Sequence, residues 1–200
     1  MKFPSYAAAG VLSACLLSAP AFASASGSNG NSGKSGSTCT TCHSGGASTT
    51  VELTGPTSLA AGATGQYTLT IRGGPGVRGG FNVAVDNTAA SLEPSAGTKK
   101  VSNELTHSAP KPAAAGAITF DFSMVAPPSA GTVKLFAAGN SVNGDGAQSG
   151  DMSALTSLSV NVTGSNEPME EEGGCSSTGG APVLAFALTA GLAMLRRRRN

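Results

Sequence analysis

"AITFDFSMV", residues 117–125, places Ile118, Phe120, Phe122 and Met124 on one side of an extended chain and Thr119, Asp121 and Ser123 on the other. Successive side chains of a strand point to opposite faces, so this alternation predicts a strand with one face in a core and one in water. The same period of two runs through "QYTLTIR" (66–72), "GFNVAV" (80–85), "GTVKLFAAG" (131–139) and "LTSLSVNVT" (155–163). No window between residues 40 and 165 carries a helical stripe. Roughly five to eight strands joined by Gly- and Pro-rich turns predict an all-β fold, an antiparallel β-sandwich.

Outward from these strands the chain changes character. Residues 24–37 are Gly, Ser and Asn with one Ala and one Lys, a linker composition that cannot bury enough apolar surface to fold alone. Within it Gly33-Lys34-Ser35 imitates the end of a phosphate-binding loop, but position 28 is Ser rather than the leading Gly, and no strand precedes it. Before it, Lys2, an apolar run from about Tyr6 to Phe22 and the small-x-small pattern Ala21-Phe22-Ala23 read as a secretory signal, with the mature chain starting at Ser24. Cys15, in Leu12-Ser13-Ala14-Cys15, resembles a lipoprotein box, yet the apolar run continues past it through Leu16 and Leu17.

The far end has an acidic, Gly-rich stretch, the apolar segment Ala181 to Leu195, and Arg196, Arg197, Arg198 and Arg199 before Asn200. As a helix that apolar segment covers only about 22 Å of a ~30 Å hydrocarbon core, so it makes a marginal span that leans on snorkelling arginines. The arginines belong on the cytoplasmic side, which places everything before Gly180 outside.

Twelve Lys and Arg face eleven Asp and Glu over the whole chain. Setting aside Lys2 and the four terminal arginines leaves the exported part at about −4, with no basic patch, so nucleic acid is not the expected partner. Catalytic signatures are also missing: there is no Gly-x-Ser-x-Gly elbow and no His-Glu-x-x-His helix, and the chain is not expected to be an enzyme. In the loop 140–151, Asn140, Asn143, Asp145 and Asp151 could suit a hard cation, but the spacing fails the EF-hand pattern. A turn with Asx caps is the simpler expectation.

The chemistry concentrates in Cys39-Thr40-Thr41-Cys42-His43. Two thiols at i and i+3 followed directly by His can bond both vinyl groups of one porphyrin and place the imidazole under its iron, the arrangement of c-type haem. Cys39 and Cys42 would form the thioethers and His43 the axial ligand. His107, the chain's other histidine, is the candidate sixth ligand, with Met124 and Met152 as alternatives. Two other readings stay open. In an oxidising compartment Cys39 and Cys42 can close a short disulfide loop. Cys39, Cys42, His43 and His107 would also make a tetrahedral zinc set, in which His43 and His107 are metal ligands.

Two resemblances add to this. Gly173-Gly174-Cys175-Ser176-Ser177, followed by the apolar stretch and the four arginines, resembles the MYXO-CTERM sorting signal. That resemblance implies cleavage by a membrane-embedded sorting protease near Cys175, with Cys175 as the processing and anchoring residue and the product on the cell surface. The order CxxCH, "GQYTLTIRGG", "GGFNVAV", "ELTHSAP", "ITFDFSMVAPPSAGTVKLFAAGNSVNGDG" and "SGD" is similar to a bacterial surface domain of the choice-of-anchor type, akin to the reeler domain. It implies an immunoglobulin-like β-sandwich over residues 38–163, displayed outside the cell. The expected layout is a signal peptide at 1–23, a linker at 24–37, the sandwich at 38–163, a linker with the sorting cysteine at 164–180, and a transmembrane segment with its Arg cluster at 181–200. Two functions compete: a surface-anchored haem c protein serving electron transfer or sensing with a redox partner, and a structural or adhesive module with a Cys39–Cys42 disulfide and an unknown surface ligand.

Overall fold

The structure is a computed structural model that describes residues 24–164. The expected signal sequence, Cys15, Cys175, the apolar tail and Arg196 to Arg199 lie outside the described residues. Among those described, no helix is long and apolar enough to cross a membrane.

The chain forms a two-sheet β-sandwich from twelve strands: β1 (Ser44–Gly45), β2 (Thr49–Thr54), β3 (Ser58–Ala60), β4 (Thr64–Gly73), β5 (Arg78–Val85), β6 (Ser91–Pro94), β7 (Thr98–Val101), β8 (Glu104–His107), β9 (Lys111–Pro112), β10 (Ala117–Val125), β11 (Gly131–Val142) and β12 (Ser149–Thr163). One sheet has the order β2-β4-β10-β6 and the other β1-β12-β11-β5-β8-β7, with β3 on β12 and β9 on β5. Pairing is antiparallel except for the short edge strands β1 and β3, which run parallel to β12. The fold is the all-β sandwich that the alternation predicted.

The alternation places the core as read. Ile118, Phe120, Phe122 and Met124 of β10 and Tyr67, Leu69 and Ile71 of β4 are all buried, while Asp121 is exposed. They meet Phe81, Val83 and Leu135 from the second sheet. Phe81 bridges the layers, its ring 4.4 Å from that of Phe120 and 6.4 Å from that of Phe122. Tyr67 stacks on Phe122 at 5.7 Å and donates its hydroxyl to Pro56 O at 3.1 Å, and burial pushes its phenol up to about 12. Met124 is core packing and therefore not a candidate for metal ligation.

The link between β4 and β5 is short although it is rich in glycine. β4 runs to Gly73 and β5 begins at Arg78, so residues 74–77 carry the chain across from one sheet to the other. Ser141 ties this crossing down, donating to Gly73 O and accepting from Gly76 N, both at 2.9 Å.

β5 departs from simple alternation. Gly80, Asn82 and Ala84 face away from the core yet are buried, because the 24–37 segment lies over this face of the sheet. The segment expected as a linker does not fold alone; it is held by polar contacts. Glu104, on the outer face of β8, accepts from Gly30 N at 2.8 Å, Asn31 N at 3.3 Å, Ser32 Oγ at 2.6 Å and Asn82 Nδ2 at 3.0 Å. Lys34 donates to Val85 O at 2.6 Å. Gly27 has φ +74°, and a Cβ there would stand 2.4 Å from Thr106 Oγ1, so only glycine lets the chain run this close to β8.

Two outcomes test this architecture. Phe120→Ala removes a ring packed at both faces and should cost about 3–5 kcal/mol in denaturant unfolding. Glu104→Ala should leave the core amides of β4 and β10 protected while exchange at Gly30 and Asn31 accelerates at least ~10-fold, because hydrogen bonds to a charged acceptor contribute about 1.5–3 kcal/mol.

Candidate functional site

The covering segment ends in a single turn. Thr38 caps it, its Oγ1 accepting from Thr40 N at 3.2 Å, and residues Cys39–Thr41 wind as 3-10 helix. Cys42 N and His43 N both donate to Cys39 O, at 3.2 and 2.9 Å. Residues three and four apart on a helical turn share a side, so Cys39, Cys42 and His43 form one constellation. The Thr and Gly neighbours let the turn form: Thr38 is a good N-cap, and Gly45 takes φ +87° in β1.

His43 is fixed from behind. Its Nδ1 lies 2.6 Å from Asp151 Oδ2, and Asp151 is only 1% exposed. The other carboxylate oxygen of Asp151 accepts from Asn143 N at 2.9 Å. With an acidic acceptor at Nδ1, the imidazole keeps its proton there and Nε2 is the free lone pair. Asp151 therefore serves His43 rather than a cation. The expected loop 140–151 is shorter than read, because Asn140 belongs to β11 and Asp151 to β12, and residues 143–148 between them close on themselves: Asn143 Oδ1 accepts from Asp145 N, and Asp145 Oδ1 accepts from Ala147 N, two Asx turns.

Between the turn and the outer face of β5 and β11 lies a cavity of about 660 Å³. Cys39, Cys42, His43 and His107 all line it, so the structure brings together every residue singled out in the sequence around CxxCH. Phe81, Gly79 and Gly80 also contribute to its lining. A Cβ on Gly80 would stand 2.4 Å from Cε1 of His107, so that imidazole rests directly on the glycine backbone. His107 Nδ1 accepts from Phe81 N at 3.2 Å, and burial pulls the ring below the usual histidine range. Met152 does not line the cavity.

The sulfurs are not bonded to each other: Cys39 is half-buried, Cys42 is exposed, and both are free. Burial pushes the Cys39 thiol up to about 11. Such a site disfavours a thiolate, the form a zinc ligand takes. Among the described residues no three His, Cys, Asp or Glu side chains converge as a metal-binding group, so Cys39, Cys42, His43 and His107 share a cavity without forming a zinc tetrad.

Sequence reading missed Asp151 as the partner of His43 and Gly80 as the seat of the His107 ring. The "GG" immediately before the alternating "FNVAV" is the one local signal that backbone, rather than side chains, faces something there.

No protein-family profile and no curated protein matches the chain. Among solved structures, the chain is similar to the CARDB domain of a Pyrococcus furiosus protein, crystallised in complex with di-metal ions. The likeness covers 57% of this chain and 92% of that one, at 13% sequence identity and a TM-score of 0.33.

The two cysteines should differ in reactivity in protein without haem. A thiol with a pKa of about 11 is ~0.1% thiolate at pH 8. Cys39 should therefore alkylate with iodoacetamide at least ~10-fold more slowly than Cys42, as read by peptide mapping, and denaturation should abolish the difference.

Proposed function

We propose that this protein is an exported cell-surface module, of the reeler-like kind its sequence resembles, that carries one c-type haem for electron transfer or haem-dependent sensing. The observation that carries the reading is the Cys39–His43 turn itself. It does not stand off the domain on a flexible arm; it forms one wall of a cavity of about 660 Å³, well inside the roughly 300–1,000 Å³ typical of cofactor and ligand sites. Export and anchoring rest on the signal sequence and on the sorting signal around Cys175.

The residues present fit the group. Cys39 and Cys42 lie on one side of one turn, as two thioethers to one macrocycle require, and the neutral thioether suits a position where burial opposes a thiolate. Arg78 is the single Lys or Arg on the described lining, and its exposed position at the rim suits a propionate. Asp151 holds His43 in the tautomer and orientation that present the Nε2 lone pair to a metal. When bound, the haem supplies an iron that can change oxidation state; the chain supplies attachment, orientation and shelter from water.

The test is the protein exported from a host with a cytochrome c maturation system. Its reduced pyridine haemochrome should show covalent haem that survives acid-acetone extraction, and Cys39→Ser with Cys42→Ser should lose it. A colourless protein with no free thiols would instead establish the disulfide-bridged surface module. Asp151→Asn should keep the haem but leave a less basic His43, which stabilises ferric iron less. The midpoint potential should then rise, by ~59 mV for each tenfold loss of ferric preference, in a redox titration.

A further inference from the structure

The cavity holds two histidines, and their hydrogen bonds give them opposite chemistry. His43 directs Nδ1 to a carboxylate, which keeps the proton on Nδ1 and the lone pair on Nε2. His107 is reversed. Its Nδ1 accepts from the Phe81 amide at 3.2 Å, and a nitrogen that accepts carries no proton, so the neutral ring holds its hydrogen on Nε2. Thr106 Oγ1 is 3.4 Å from the same Nδ1, but its hydroxyl is already spent on Phe81 O at 2.9 Å.

An Nε2 that carries hydrogen has no lone pair for a metal. To ligate, His107 would have to move the proton to Nδ1, where it would meet the Phe81 N–H, donor against donor. Turning the ring away would break that bond and lift the imidazole off Gly80, on whose backbone it rests. Nothing else on the described lining replaces it: Met124 is core, Met152 is absent from the lining, and Arg78 stays protonated.

We propose that His107 is not the sixth ligand of the haem but a fixed Nε2–H donor beside an open coordination position, so that the site takes a small exogenous ligand with an acceptor atom at its outer end. The inference rests on the haem reading and narrows its task from closed-shell electron transfer to ligand capture or sensing. The donor is neutral, so its hydrogen bond strengthens bound ligands that gather negative charge at the far atom. It adds little for ligands that do not.

Azide is the probe, applied to the exported haem-loaded protein. Haem content by pyridine haemochrome comes first; its absence overturns the haem reading, and this proposal falls with it. With haem present, the ferric wild type should be high-spin by absorption and electron paramagnetic resonance and should turn low-spin on azide. His107→Leu should stay high-spin and bind azide at least ~10-fold more weakly, the loss expected for a hydrogen bond to a charged group. His107→Gln keeps a side-chain N–H and should recover most of that affinity, which separates donation from packing. A low-spin wild type that becomes high-spin in His107→Leu would make His107 a ligand and overturn the proposal while leaving haem in place. A wild type that stays low-spin in both variants would overturn it through another internal ligand. Equal azide affinity across all three proteins would overturn the donor role.

Discussion

Glu104 holds down a stretch of chain that has almost nothing else to hold it. The 24–37 segment offers Ala25 as its only apolar side chain beyond glycine, so the hydrophobic effect cannot keep it on the sheet. One carboxylate on the outer face of β8 gathers two backbone amides, a hydroxyl and a side-chain amide, and these are bonds to a charged acceptor, the stronger kind. The placement of the CxxCH turn follows from this. Without a seated segment, Cys39 would hang on a Gly/Ser tether and the cavity would have no third wall. Ser32, 1% exposed though it is a serine in a low-complexity run, marks how completely the polar contacts replace an apolar core there.

How much of this could be read beforehand depends on the range of the interaction. β10 was legible because a strand records its burial locally: each inward residue of Ile118, Phe120, Phe122 and Met124 is two positions from the next. The Cys39–His43 constellation was legible for the same reason, since one helical turn brings i, i+3 and i+4 together. The outer face of β5 was not. Gly80, Asn82 and Ala84 look like a solvent face, and what buries them arrives from about fifty residues earlier with no hydrophobic pattern to announce it. Asp151 is the extreme case. It lies 108 positions from His43, and within its own loop it reads as a cation ligand. Only the parallel pairing of β1 with β12, Gly45 opposite Asp151, brings the two together.

The same topology explains why the two histidines differ in tautomer, a difference the sequence gives no ground to expect. His43 sits where the chain enters an edge strand, beside the strand that carries a buried carboxylate. His107 ends β8, beside β5, whose nearest free group is the Phe81 amide. A ring whose inner nitrogen meets an acceptor becomes a base at its outer nitrogen; one whose inner nitrogen meets a donor becomes an acid there. The distinction is made by backbone register: pairing Val83 with Leu105 and Asn82 with Thr106 is what sets the His107 ring against the Phe81 amide.

That register is itself fixed by the core. Leu105 is fully buried opposite Val83, and Phe81, two residues before Val83, is locked between Phe120 and Phe122. The amide that sets the tautomer of His107 therefore belongs to the residue whose ring joins the two sheets. A slip of β8 that freed His107 to ligate would have to pull Leu105 out of the core, at a cost of several kcal/mol by the usual scale for a buried leucine. The proton on His107 is thus held by the packing of the sandwich, and the chemistry on its outer face follows from the aromatic contacts within.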